Sequence, residues 1–171
     1  MSFIGKNDDA RVFAPGYFLA SADCERKTFT MAQASAITTS SNNKIVKGGT
    51  VYPANDSTAA GIVYEDIDVT SGDMPGSVVL KGVVYEDRLP EAVDTYSSAT
   101  VPTGGNPKEL GLYERSGTSP NYVYTLTTDT TAADGKTYYS FDGKKIASAA
   151  KTALEAKGFV FMASPAVTRP Y

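Results

Sequence analysis

The chain has 171 residues and a formal charge of −3 at neutral pH, with 16 Lys and Arg, 19 Asp and Glu, one cysteine and no histidine. The missing histidine excludes Ser-His-Asp and Cys-His catalysis, HExxH metalloprotease chemistry and His-ligated transition metals. The lone Cys24 excludes an internal disulfide and cysteine-rich zinc sites.

Sixteen scattered basic residues form no extended block that would grip a phosphate backbone. No apolar run approaches the roughly 18 residues of a membrane helix. The start, MSFIGKNDDARVFAPGYFL, lacks a basic region followed by an apolar one, so a secretory leader is not expected. The length fits one domain, or one domain with an elaboration, and a chain of this size buries about 70% of its unfolded surface. Abundant Thr, Ser, Gly, Pro, Val and Tyr, with no Trp, lean toward strands and turns.

Residues 1–30 carry Phe3, Ile4, Val12, Phe13, Tyr17, Phe18 and Leu19 with neither a helical nor a strand period. Such a leader is either a strand pair packed on the core or an arm that orders against a partner. Met31 to Ile37 fits a strand or one helical turn. SSNNKIVKGGT is rich in turn residues, and Thr50 to Tyr52 is a short strand. AAGIVYEDIDV reads as a strand with both faces apolar near its start. SVVLKGVVYEDRL reads as another, with a bend at Gly82.

Residues 94–108 form a polar join rich in Pro and Gly. Three strands are expected beyond it, in LGLYERSG, NYVYTLTT and KTYYSF. In the middle one, Tyr122, Tyr124 and Leu126 alternate with Val123, Thr125 and Thr127. KKIASAAKTALEAK predicts a helix with Asp142 as N-cap and Gly158 as the C′ residue. Its apolar stripe is Ile146, Ala149, Ala150, Ala153 and Leu154. FVFMA returns as a strand.

The hexapeptides GIVYED (Gly61–Asp66) and GVVYED (Gly82–Asp87) each end in two carboxylates. A glycosidase needs two facing acids, but neighbours in a strand point to opposite faces, so each pair could offer only one acid to a common site. Asp66, Asp68 and Asp73 lack the spacing and closing Glu of an EF-hand loop. Glu65, Asp66, Glu86 and Asp87 are therefore expected as a solvated rim at the strand ends. Neither KGGT nor PTGGNP has phosphate-loop spacing. The helix lysines Lys144, Lys145, Lys151 and Lys157 read as a solvated face, and Cys24 as a packing or surface thiol. No catalytic, metal or cofactor-binding residue is assigned, and an enzyme is not expected.

The stretch KIVKGGTVYPANDSTAAGIVYEDIDVTSGDMPGSVVLKGVVYEDRLP, with the alanine-rich helix and FVF, resembles head decoration proteins of tailed bacteriophages. These are the lambda-type capsid-stabilising family and its head fibre relatives. The likeness covers roughly 44–90 and 144–162, less than half the chain. It implies a mostly β fold: a small β-barrel-like (β-tulip) decoration core with one packed C-terminal helix. Residues 31–93 and 141–171 would form that core, and 1–30 an N-terminal capsid-contact arm.

Residues 94–140 would be an inserted β module, which resembles add-on modules of phages that infect Gram-positive bacteria. The resemblance further implies a non-enzymatic protein on the exterior of the virion, made in the host cytoplasm. It would bind the major capsid protein of the expanded head as a homotrimer, without nucleic acid or membrane. Phe3, Ile4, Val12, Phe13, Tyr17 and Phe18 are the expected capsid contacts, the arm adding to a sheet of the shell protein. The alternative is a carbohydrate-binding or host-adhesion module that stacks Tyr113, Tyr122, Tyr124, Tyr138 and Tyr139 on sugars.

Overall fold

Two pairs of adjacent β-branched residues, Ile62-Val63 and Val78-Val79, set the architecture. All four are buried, at 1% exposure or less. Neighbours in a strand face opposite ways, so strands carrying such pairs need cover on both sides.

The computed structural model describes residues 14–165, in two compact units: 14–92 with 145–165, and Val93–Lys144. In chain order the strands of the first unit are β1 (Glu25–Met31), β2 (Ile37–Thr38), β3 (Lys44–Val46), β4 (Val51–Tyr52), β5 (Gly61–Val63), β6 (Ile67–Asp68), β7 (Met74–Lys81) and β8 (Val83–Tyr85). The second unit holds β9 (Val93–Ala99), β10 (Tyr113–Thr118), β11 (Asn121–Leu126) and β12 (Tyr138–Lys145). The chain then re-enters the first unit as helix α1 (Ser148–Glu155) and β13 (Val160–Met162). Among the described residues the protein is mostly β with one C-terminal α-helix, as the sequence leads one to expect.

In the first unit the central sheet has the order β1-β7-β5-β4. Ile62 lies opposite Val79 and Val63 opposite Val78. Ile62 and Val79 pack on one side with Phe18, Val84, Ala150, Leu154 and Phe159. Val63 and Val78 pack on the other with Met31, Val46, Ile67 and Val69. The second side is covered by the small sheet β2-β3-β6, the first by α1 and the pair β8-β13. Three layers result. The sheets stay open, with β1 and β4 as the outer strands of the central one, and no ladder among the described residues closes a barrel. β4 stops at Pro53, which has no N–H to extend a ladder.

Gly82 divides β7 from β8, as the bend expected there. Gly76 on β7 permits a close approach of Ile67 from β6, because an added Cβ would collide with the Ile67 and Met31 side chains. The helix is shorter than its sequence pattern. Lys144 and Lys145 end β12, and Asp142 is a strand residue rather than the N-cap. Ala147 occupies that position with no side-chain cap. The expected apolar stripe is present where it matters most, with Ala150 and Leu154 at 0% exposure. Gly158, at φ +95°, turns the chain into β13, which runs parallel to β8.

The second unit has the sheet order β11-β10-β12-β9. Three of these strands fall where the tyrosine-rich segments predict them. β9 lies in the stretch expected to be a polar join, since its Ser, Thr and Asp residues hide the alternation.

Residues 14–20 belong to the first unit. Gly16 N–H bonds Tyr64 C=O, Tyr85 N–H bonds Phe18 C=O, and Ala20 N–H bonds Val83 C=O, each at 2.8 Å. The leader thus stitches together the two hexapeptide copies, one in the central sheet and one beside α1. Phe18, at 0% exposure, fills the core between them. Replacing Phe18 with Ala removes a fully buried ring and is expected to cost about 3–5 kcal/mol. Chemical denaturation of the full chain measures this; a loss below about 1 kcal/mol would show that the ring is not a core element.

Candidate functional site

Of the six expected contact residues, Phe3, Ile4, Val12 and Phe13 lie outside the described residues. The other two are held by their own chain. Phe18 is in the core, and Tyr17 is half-buried, its hydroxyl donating to Gly48 C=O at 3.2 Å. Burial, with a smaller effect from the Asp66 charge, pushes the Tyr17 phenol up to about 12. Arg88 reinforces this corner, its Nη1 donating to Tyr17 C=O at 3.1 Å and its Nε to Ser164 Oγ at 3.0 Å.

Three of the four rim acids, Glu65, Asp66 and Asp87, are exposed as expected, and Glu86 is not. Glu65 and Asp66 are exposed, but Asp66 also accepts the Gly48 N–H at 2.7 Å and holds the β3–β4 turn. Asp87 Oδ1 accepts both the N–H and the hydroxyl of Ser164, each at 3.0 Å. Glu86 is 7% exposed. The single 3-10 turn Glu86–Arg88 after β8 swings it inward beneath the approach to α1. There its carboxylate accepts the Ile146 N–H at 3.2 Å and pairs with Lys151 Nζ at 2.6 Å. Asn55 Oδ1 takes the next amide, Ala147 N–H, at 3.3 Å. The helix therefore starts on acceptors remote in sequence, which local capping patterns cannot reveal. Each repeat tyrosine also carries a guanidinium: Arg26 lies 4.2 Å from the Tyr64 ring centre, and Arg88 4.3 Å from that of Tyr85.

The tyrosines of the second unit are largely spent on one another. Tyr96 of β9 stacks on Tyr124 of β11, with ring centres 4.0 Å apart and planes 8° from parallel. Tyr113 and Phe141 also meet Tyr96, at 5.1 and 5.5 Å, and Tyr139 meets Tyr124 at 5.3 Å. β9 and β11 are the two outer strands of a four-stranded sheet, roughly 14 Å apart if it were flat. Contact between their rings requires the sheet to coil around this aromatic cluster, which serves as the unit's core. Tyr138 and Tyr139 are buried, and Tyr113 and Tyr124 half-buried, so of the five tyrosines expected to be free for sugar stacking only Tyr122 is exposed.

A polar clasp lies on the opposite face. Lys136 Nζ sits 2.9 Å from Glu114 and 2.7 Å from Asp129, the Thr127 hydroxyl donates to Glu114, and the Tyr138 hydroxyl donates to Asp129 at 2.6 Å. An amine between two carboxylates invites a catalytic reading, but the ionisation states oppose it. The bonds to Asp129 and Glu114 hold Lys136 above its ordinary range, so the amine stays protonated and has no free lone pair. The Thr127 hydroxyl, then Lys136, lowers Glu114; Lys136, then Tyr138, lowers Asp129. The cluster is a clasp on the segment between β11 and β12.

Among the described residues no group of three or more His, Cys, Asp or Glu side chains could hold a metal ion, and no helix is long and apolar enough to cross a membrane. An open cleft of about 620 Å³ is lined by Asp23, Cys24, Glu25, Lys81, Gly82, Val83, Gly158 and Val160. Cys24 sits half-buried in its wall, in a chain with no histidine to activate it.

Two expectations follow. Glu86→Ala leaves the Ile146 amide without its acceptor and Lys151 without its partner, at a cost of about 1–3 kcal/mol. Amide exchange should accelerate selectively in α1; unaltered exchange there would contradict the clasp. The second concerns pH. Glu114 and Asp129 have folded-state pKa values below their unfolded ones, so their contribution is complete above the unfolded values and is lost as pH falls through the folded ones. The Val93–Lys144 unit should therefore lose stability on the acid side, below about pH 4. Lys136→Met should flatten that acid dependence in near-ultraviolet circular dichroism of the tyrosine cluster. An unchanged acid profile would mean that the clasp does not stabilise the unit.

No protein-family model, no curated protein and no solved structure matches the chain.

Proposed function

We propose that the chain is a structural protein of a tailed-bacteriophage head that binds the outside of the expanded capsid and reinforces it. One observation supports the reading most directly. The two segments that resemble head decoration proteins, roughly 44–90 and 144–162, are separated in sequence by the module yet lie in one compact unit. Within it they supply most of the central sheet, the β8-β13 pair and α1. The module's chain thus leaves and re-enters a single unit, as an insertion into a decoration core would.

In this reading the protein is non-enzymatic, its partner is the major capsid protein, and it sits as a homotrimer on the virion exterior. It binds neither nucleic acid nor membrane. Since Phe18 lies in the core and Tyr17 is half-buried against it, this reading places the capsid-contact role on Phe3, Ile4, Val12 and Phe13.

Mixing the protein with expanded and unexpanded heads and pelleting them tests this. Co-sedimentation with expanded heads is expected. A variant lacking residues 2–13 retains the Gly16–Ala20 stitching and should fold while losing most of its head binding. Failure of the intact chain to pellet with either form of head would refute the proposed function. Full binding by the truncated chain would refute the arm contact alone.

A further inference from the structure

The outer strands of these sheets are not equally protected. β1 carries Glu25, Arg26 and Lys27; β4 is two residues long and β13 three. Charge and shortness are the usual devices that keep an edge from pairing with another chain. β11 has neither. Its six residues, NYVYTL, contain no charge, and no strand other than β10 pairs with it among the described residues. Tyr122, Val123 and Leu126 are 40%, 57% and 61% exposed.

The ladder fixes which backbone groups are free. Thr127 N–H bonds Leu112 C=O, continuing the β10–β11 register in which Leu126 faces Tyr113. In an antiparallel pair the hydrogen-bonded positions alternate. Asn121, Val123 and Thr125 therefore point their amides and carbonyls toward β10. Tyr122, Tyr124 and Leu126 point theirs outward. The Tyr122 N–H is engaged locally with Pro120 C=O at 3.1 Å, which leaves the Tyr124 and Leu126 N–H groups facing out with the carbonyls.

We propose that this edge pairs with the β11 strand of a second copy of the chain, antiparallel and two-fold symmetric, joining two second units into one continuous sheet. A strand paired with its own copy across a two-fold axis often sets like charges against each other; NYVYTL sets none. The outward positions define the register: Tyr124 opposite Tyr124 of the second copy, and Tyr122 opposite its Leu126. Two Tyr124 N–H groups and two Leu126 N–H groups then donate across the axis, while each Tyr122 amide keeps its turn bond. The next outward position is Pro120, which has no N–H and ends the pairing. Val123 faces Thr125 of the second copy, two β-branched residues side by side. Tyr122, whose ring centre lies 4.3 Å from the Arg115 guanidinium, arrives as a supported ring over the second copy's Leu126. This pairing is independent of capsid binding.

Sedimentation equilibrium of the full chain across the micromolar range tests it, with paired variants as the readout. Leu126→Pro removes one outward N–H and no bond to β10. The double variant Val123→Lys, Thr125→Lys sets lysine against lysine across the axis; Val123→Glu, Thr125→Lys sets glutamate against lysine. The expected result is that the wild type reaches at least twice the mass of Leu126→Pro and of the double-lysine variant, and that the glutamate–lysine variant regains it. Near-ultraviolet circular dichroism of the tyrosine cluster checks that each variant is folded. Equal masses for wild type and folded variants would overturn the pairing, whether the chain were monomeric throughout or assembled through another surface. So would a wild type that stays monomeric alone and captures an unrelated extended peptide on this edge.

Discussion

A carboxylate placed almost out of reach of water must be given donors, and Glu86 is such a group. It receives the Ile146 amide and the Lys151 ammonium, both from the segment by which the chain returns after the second unit. That one acid therefore joins β8, completed before the excursion, to the helix that follows it. Without donors from the returning chain, Glu86 would be buried unpaired, and the amides leading into α1 would have one acceptor fewer. One of the two cores of the first unit includes Ile146 of this junction. Phe18, Val84, Ala150 and Leu154 meet beside it at 0% exposure, and β13 then lies parallel to β8.

Two hexapeptides that differ only by Ile62 against Val83 perform two different tasks. GIVYED supplies β5, a central-sheet strand whose Ile62 and Val63 are each covered by a separate cluster. GVVYED supplies β8, whose partners are β13 and the leader. Residues 16–20 run between the copies and bond both, so their apolar character is spent on folding.

The second unit solves the problem of a small sheet by another route. With few aliphatic residues to bury, it coils around tyrosines that stack on one another, and it fastens the long segment between β11 and β12 with a lysine, two acids and two hydroxyls. The side chains of the clasp are 36%, 32% and 27% exposed, so water and salt temper each ion pair and the hydrogen bonds give the cluster its geometry. The same economy leaves β11 uncharged at the sheet margin.

By itself the sequence determined the strand-rich class, the helix with its Ala150–Leu154 stripe, the bend at Gly82 and the tyrosine alternation of β11. These are local regularities of period or turn chemistry, and any folded arrangement must respect them. Absent chemistry was equally legible, because a missing histidine is missing from every fold. Only the tertiary structure decided that Asp142 is a strand residue, that Glu86 is buried under the helix, that Phe18 belongs to the core and that the tyrosines face one another. Each of those outcomes depends on a partner dozens of residues away, or on how far a sheet coils. Neither the separation of 60 positions from Glu86 to Ile146 nor the coil that brings Tyr96 to Tyr124 leaves a periodic trace along the chain. Alternation shows which residues share a face, and only the folded chain shows what covers it.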